Sequence, residues 1–158
     1  DKGLYMPESI KTLPAAFFKN IGGLSLQEIA YAVADSLFGE DVDADVLKRI
    51  VYDALSFDIP LHKVADRRYC LELYHGPTLA FKDVGARFMA RMLGYFNAQD
   101  SDKRPVNVLV ATSGDTGSAV ANGFLGGERS VTNLLSLQQP AVHMHRNNRT
   151  SAAGILRY

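Results

Sequence analysis

The six residues 106–111, VNVLVA, constrain most strongly how this chain can fold. Three are β-branched and all but the asparagine are apolar, which is typical of a strand buried on both faces of a sheet. A loop of small residues follows at 112–117, and residues 118–125 are predicted to open a helix. Strands of this kind occur where helices cover both faces of a sheet, so the segment predicts a parallel α/β arrangement.

An earlier segment repeats the order strand, loop, helix. Residues 69–74 alternate and predict a strand, and residues 75–80 predict a loop with a turn at Gly76 and Pro77. From residue 81 to 96 the apolar side chains recur at helical spacing: Val84, Phe88, Met89, Met92, Leu93 and Phe96. The two segments together predict an open parallel sheet with both loops at its ligand-binding edge.

Two amphipathic helices are predicted nearer the N-terminus. Ser25 and Glu28 form a capping box, and the apolar stripe that follows predicts a helix ending at Gly39. Asp43 is expected to cap a second helix with an apolar side made of Val46, Leu47, Ile50, Val51, Ala54 and Leu55. We therefore expect a helical segment at 1–65 and part of an α/β domain at 66–128.

The composition changes after Glu128. Residues 129–158 contain four arginines, no lysine and no acidic residue, whereas the preceding residues hold all seventeen acidic side chains and every lysine. No regular apolar period continues into this stretch, so we expect residues 129–158 to be an atypical tail. It is either disordered, a separate element or out of frame.

Composition also bears on the classes of partner. Seventeen basic residues balance seventeen acidic ones, so net charge gives no reason to expect nucleic-acid or anionic-membrane binding. No apolar run approaches the ~20 residues that a membrane helix needs. The single cysteine, Cys70, fits a reducing compartment, and we expect a cytoplasmic protein.

Lys82 lies in or beside the first turn of the helix predicted from residue 81. A helix N-terminus carries partial positive charge, so a lysine there is unfavourable by roughly 0.3–1 kcal/mol. An exposed Lys82 would tolerate that cost, partly offset by Asp83. The same potential disfavours the ammonium form and leaves more neutral amine to attack an aldehyde. Position alone leaves both interpretations open.

The loop TSGDTG at 112–117 offers backbone amides and hydroxyls to an anion. It is neither a Walker A loop, because no lysine follows the second glycine, nor a dinucleotide fingerprint, because G-x-G-x-x-G is absent. Asp115 would repel a phosphate dianion, so a carboxylate ligand is favoured, with Asp115 turned towards a polar or basic group. The alternative is an ordinary helix N-cap formed by Asp115 or Thr116.

Four other residues are weaker candidates. His75 is either a loop histidine bonded to backbone or a catalytic group, and Arg87 either meets a phosphate or lies on a solvated helix face. His143 and His145 alternate as metal ligands sometimes do, but the sequence suggests no third ligand. No metal is therefore expected.

Together the two loops resemble those of a known enzyme family. The run HGPTLAFKD at 75–83, followed by Gly85 and RFMA at 87–90, resembles the cofactor-lysine segment of bacterial threonine synthases. ATSGDTGSAVA at 111–121 is similar to that family's substrate loop, and DKGLYMPE at 1–8 resembles its early segment. The resemblance runs from residue 1 to about residue 126.

This resemblance implies a fold-type-II pyridoxal-phosphate enzyme, related in architecture to the tryptophan synthase β chain. It implies conversion of O-phospho-L-homoserine and water to L-threonine and phosphate. Lys82 would form the Schiff base with pyridoxal phosphate and later act in proton transfers. The second loop would hold the substrate carboxylate and the ring-hydroxyl side of the cofactor, and Asp115 would face that side of the cofactor. The residues of this loop are Thr112, Ser113, Gly114, Asp115, Thr116 and Gly117.

The chain departs from the family pattern in three ways. Ala86 stands where the family commonly has a second glycine, and residues 129–158 do not resemble the expected strand and loop. The chain also ends before the later loop that binds the cofactor phosphate and the group facing the pyridine nitrogen. We therefore expect an incomplete threonine synthase, inactive alone. The alternatives are a non-catalytic truncated or frame-shifted product, or a small anion-binding α/β module.

Overall fold

The computed structural model describes residues 3–4, 6–101, 106, 108–112, 114–125 and 134–137, and only the backbone of Ala111 and of residues 134–137. The chain divides into two compact units, Asp1–Ser56 and Phe57–Tyr158. Within the described part, no helix is both long enough and apolar enough to span a membrane.

The first unit is helical. It contains α1 (Ala15–Asn20), a 3-10 turn (Ile21–Gly23), α2 (Leu26–Phe38) and α3 (Ala44–Ala54). The predicted capping box is confirmed, because the Glu28 amide donates to Ser25 Oγ at 3.2 Å and the Ser25 amide donates to Glu28 Oε2 at 2.7 Å. The backbone and hydroxyl of Ser25 lower the pKa of the Glu28 carboxyl by these bonds. The ionised Glu28 carboxylate and Ser25 therefore together fix where α2 begins.

The start of α3 and its buried face also follow the prediction. Asp43 Oδ1 accepts hydrogen bonds from the amides of Asp45 and Val46, at 3.0 and 3.2 Å. The Gln27 side chain donates to the Leu55 carbonyl at 3.0 Å, which ties the beginning of α2 to the end of α3. The core side of α3 consists of its buried residues: Leu47, Ile50, Val51 and Ala54.

The second unit begins with an antiparallel hairpin that the sequence analysis missed. It pairs β1 (Leu61–Ala65) with β2 (Arg68–Leu71), and both strands are exposed throughout. The connection has two residues, with Arg67 at a φ of 54°. A connection this short permits only antiparallel pairing. The prediction that the strand before the first loop joins the parallel sheet is therefore wrong for the described residues, and residues 72–74 lie outside β2.

A parallel pair follows the hairpin and α4 (Lys82–Gln99). It joins β3 (Val108–Ala111) to β4 (Leu134–Leu137), with α5 (Asp115–Gly123) between them in the chain. The register pairs Val108 with Leu134 and Ala111 with Leu137. This unit confirms the parallel α/β arrangement predicted from residues 106–111. Because β4 falls within residues 129–158, four residues of that atypical tail pair with the earlier sheet strand, while the rest of the tail lies outside the described residues.

Helices α4 and α5 pack closely in the second unit. A buried cluster joins them to β3: Ala86, Val110, Ala119 and Val120, flanked by Val108 and Phe124. The buried positions of α4 include Asp83, Ala86 and Ala90, which share one face at helical spacing. Met89 and Phe96 are exposed, so the predicted stripe of large apolar side chains is wrong at those two positions. Small residues occupy the contact because the two backbones approach closely there.

Gly123 sets the distance of that approach. A Cβ atom at Gly123 would lie 2.9 Å from the Ala86 carbonyl oxygen and 3.1 Å from its carbonyl carbon. These are backbone atoms, so the helices themselves would have to move apart to admit a side chain.

We predict that Gly123→Ala destabilises the protein by about 1–3 kcal/mol, because the added methyl overpacks the helix contact. Gly94→Ala is the matched control, since a Cβ at Gly94 meets no atom within 4 Å. That change should leave stability unchanged or raise it by up to about 1 kcal/mol through helix propensity. Urea unfolding followed by circular dichroism measures both. Equal effects of the two substitutions would contradict the close approach of α4 and α5.

Candidate functional site

Lys82 is the first residue of α4. Its predicted place in the first turn is confirmed: the helix is N-capped by Phe81, which contributes no side-chain cap. The Lys82 side chain is half-buried, and its Nζ lies 4.4 Å from the centroid of the exposed Phe81 ring. Among the described residues no carboxylate forms an ion pair with Lys82. The amine therefore contacts an aromatic face rather than an anion.

Asp83 is buried within the protein. It is 0% exposed, although it follows Lys82 directly in the chain. Its Oδ2 accepts the Thr78 amide at 2.8 Å, and its Oδ1 accepts the Thr78 hydroxyl at 2.8 Å. Asp83 lies in the first turn of α4, as expected for a residue that partly offsets the cost of Lys82 there, but Lys82 is half-buried rather than exposed.

The loop before α4 is closed by short backbone contacts. The Leu79 amide donates to the Gly76 carbonyl at 3.0 Å, and Leu79 has a φ of 57°. The Asp83 amide donates to the Ala80 carbonyl at 3.0 Å, which leads the turn directly into the helix. Together with the Thr78 bonds, these contacts fix the path of the chain that carries Lys82.

His75 precedes this loop and binds a carboxylate. Its Nε2 lies 2.7 Å from Glu72 Oε2, and His62 Nε2 lies 3.7 Å from the same oxygen. The interpretation of His75 as bonded only to backbone is therefore wrong. Hydrogen bonds, first with His75 and then with Tyr74, lower the pKa of the Glu72 carboxyl. The hydrogen bond between Tyr74 and Glu72 also raises the pKa of the Tyr74 hydroxyl.

The second loop is organised by Thr112. Its Oγ1 accepts the amides of Gly114 and Gly117, each at 3.0 Å. Its methyl group lies against Gly117, where a Cβ atom would be 2.5 Å from Thr112 Cγ2. The N-cap of α5 is Gly114, with a φ of 149° that few side chains tolerate. The prediction that Asp115 or Thr116 caps the helix is thus wrong, because Thr112 supplies the capping oxygen.

Two backbone amides at this helix start remain available. Asp115 and Thr116 are the first residues of α5, and neither amide has a hydrogen-bond partner among the described residues. Asp115 is exposed, and Thr116 is half-buried. Ser113 lies outside the described residues. The loop can therefore offer an anion two N–H donors at the positive end of a helix, with their directions fixed by Thr112.

Both loops belong to the second unit. The described residues include no hydrogen bond or ion pair from Lys82 to the 112–117 loop. The close approach of α4 and α5 lies at Ala86 and Gly123, and Gly123 is at the opposite end of α5 from the loop.

The remaining weaker candidates are Arg87, His143 and His145. Arg87 places its guanidinium carbon 5.9 Å from the centroid of the Phe57 ring. His143 and His145 lie outside the described residues. Within the described part of the chain, no group of three or more metal-ligating side chains could hold an ion.

Solved structures share this arrangement. The chain is similar to threonine synthase from Escherichia coli, with a TM-score of 0.72 and 34% identity over 85% of this chain and 30% of that one. It is similar to a pyridoxal-phosphate-bound threonine synthase from Brucella melitensis, with a TM-score of 0.76 and 34% identity over 85% of this chain and 29% of that one. The fold is therefore that of the fold-type-II pyridoxal-phosphate enzymes.

Sequence comparisons also find threonine synthases among the proteins similar to this chain. Residues 1–55 match the family described as threonine synthase N terminus. Threonine synthase from Haemophilus influenzae is 41% identical over 126 residues, which is 80% of this chain and 28% of that protein. Threonine synthase from Serratia marcescens is 51% identical over 94 residues, 60% of this chain and 21% of that protein.

Over about four fifths of its length the chain is similar to threonine synthases. A match of 126 residues within 158 necessarily includes Lys82 and the 112–117 loop. The chain spans between 21% and 32% of the length of eight curated relatives that it matches.

We predict that Thr112→Val destabilises the start of α5 by about 1–3 kcal/mol, because the amides of Gly114 and Gly117 lose their acceptor. Thr112→Ser keeps the hydroxyl and should retain most of the stability. Hydrogen exchange at Gly117 and Ser118 measures the local effect. Equal protection in the two variants would show that the hydroxyl does not cap the helix.

We also predict a pH effect centred on Glu72. A carboxyl with a lowered folded-state pKa contributes stability above its unfolded pKa and loses it as pH falls through the folded value. In His75→Ala the pKa of Glu72 should rise towards its ordinary value of about 4.3. Carbon-13 NMR titration measures this, with Glu28 as the internal control because Ser25, not His75, lowers its pKa. An unchanged Glu72 titration would rule out the His75 bond as the main cause.

Proposed function

We propose that this chain contributes to a threonine synthase, which converts O-phospho-L-homoserine and water to L-threonine and phosphate with pyridoxal phosphate. The observation that carries the proposal is the position of Lys82. The motif HGPTLAFKD puts this amine at the start of α4, half-buried and without a carboxylate partner among the described residues. The solved Brucella melitensis relative, in which pyridoxal phosphate is bound, supports the same cofactor here.

The described residues suit the cofactor and the substrate. Lys82 supplies a primary amine for the cofactor aldehyde. The Asp115 and Thr116 amides supply donors for a carboxylate. When bound, pyridoxal phosphate supplies the electron sink of the reaction.

The protein groups then have separate tasks. We assign Lys82 Nζ the transfer of protons near the cofactor. We assign the loop at 112–117 the orientation of the substrate carboxylate, with Asp115 towards the ring-hydroxyl side of the cofactor. Pre-fixed amides cost little reorganisation when the ligand arrives, which favours this assignment. A cytoplasmic setting, with a small-molecule substrate, completes the proposal.

We predict that incubation with pyridoxal phosphate and reduction with borohydride labels Lys82. Peptide mass spectrometry should find the adduct there in preference to Lys48 and Lys63, which serve as internal references on α3 and β1. Lys82→Arg keeps the positive charge and should abolish that adduct. Label spread evenly over all lysines, or unchanged total label in the arginine variant, would overturn the assignment.

A further inference from the structure

We propose that Asp83 is a positioning residue for Lys82, anchoring the loop at 76–81 so that the amine leaves α4 in one direction. The inference rests on the proposed function, because positioning has a purpose only if Lys82 receives the cofactor. The roles assigned to Lys82 and to the second loop do not explain why the Asp83 side chain is buried.

The burial of Asp83 is the first observation. A carboxylate that is 0% exposed gives up its hydration and needs replacement donors. Asp83 obtains two from Thr78, the amide to Oδ2 and the hydroxyl to Oδ1, both at 2.8 Å. One residue thus binds both oxygens, which fixes the loop against the first turn of α4.

The neighbouring glycine is the second observation. Gly76 is buried, and a Cβ there would lie 2.6 Å from Asp83 Oδ2 and 2.8 Å from Asp83 Cβ. The φ of Gly76 is not in the left-handed region. Glycine is therefore required by the closeness of the carboxylate rather than by backbone conformation.

The direction of the two adjacent side chains is the third observation. Asp83 points into the protein while Lys82 lies over the Phe81 ring at 4.4 Å. A carboxylate paired with Lys82 would stabilise its ammonium form and slow its attack on an aldehyde. The bonds to Thr78 engage both oxygens of the Asp83 carboxylate, and among the described residues Asp83 forms no ion pair with Lys82. Asp83 therefore acts on Lys82 through geometry and not as a counter-ion.

The counter-ion and positioning roles predict opposite effects of Asp83→Asn. If Asp83 neutralised Lys82, the amide would free the amine and speed its modification at neutral pH. If Asp83 positions the loop, attachment of pyridoxal phosphate to Lys82 should fall between about tenfold and a hundredfold, because small displacements of a reacting group cost that much. The sign of the change distinguishes them.

The main test uses a pair of substitutions at Thr78, because Asp83→Asn could also lower folding stability. Thr78→Val removes the hydroxyl donor and should reduce attachment at Lys82 about tenfold or more. Thr78→Ser keeps the donor and should restore attachment. Gly76→Ala reaches the same contact from its other side and should resemble Thr78→Val.

Two readouts separate positioning from stability. Borohydride trapping with peptide mapping gives the rate at Lys82 relative to Lys63 in the same molecule. Reductive methylation with formaldehyde gives the intrinsic reactivity of the Lys82 amine without the cofactor. Ser25→Ala serves as a stability control, since it removes a helix-start hydrogen bond in the other unit. It should leave the ratio of Lys82 to Lys63 labelling unchanged.

The outcomes separate this inference from the proposed function. If the unmodified chain shows no preference for Lys82, the proposed function fails. If Lys82 is preferred in the unmodified chain and equally preferred in Thr78→Val and Asp83→Asn, the positioning role alone is overturned. Faster labelling in Asp83→Asn also overturns it, in favour of a counter-ion. A loss in Thr78→Val that Thr78→Ser restores supports it.

Discussion

The close approach of α4 to α5 is the constraint on which the second unit depends. The absence of a side chain at Gly123 lets that residue lie against the Ala86 backbone. Ala119 and Val120 then complete a small core with β3. Each candidate loop leads directly into one of these two helices. The packed layer of α4 and α5 therefore holds the backbones of both loops. Rigid elements place reactive groups more accurately than loops alone, which is why a helix contact without ligand atoms still matters for the site.

Local signals with a single physical cause were predictable from the sequence. The Ser25 and Glu28 box needs only four adjacent residues, and Asp43 caps α3 for the same reason. Lys82 at the start of α4 and the parallel strand β3 were also predictable, because helical spacing and a continuous apolar run each indicate one structure. The resemblance to threonine synthases followed from two motifs at a fixed separation, which carry more information than either motif alone.

Contacts that depend on the tertiary path of the chain were not predictable from the sequence. The β1–β2 hairpin has no glycine or asparagine in its turn, so Asp66 and Arg67 gave no signal for it. An aspartate beside a lysine suggests a charge pair, whereas the fold turns Asp83 inward to Thr78. Thr112 caps α5 from outside the usual N-cap position, across a glycine with a positive φ. In each case the tertiary path of the chain, rather than local preference, selects the partner.

The exposed hairpin also affects how the protein behaves in concentrated solution. Leu61, Val64 and Tyr69 are between 57% and 65% exposed, and the described residues pair β1 and β2 only with each other. An apolar strand with a free edge is a template for adding a strand from another molecule. Lys63 and Arg68 lie among these residues and place positive charge along the same edges. Electrostatic repulsion between copies, which salt weakens, thus opposes self-association through the hairpin.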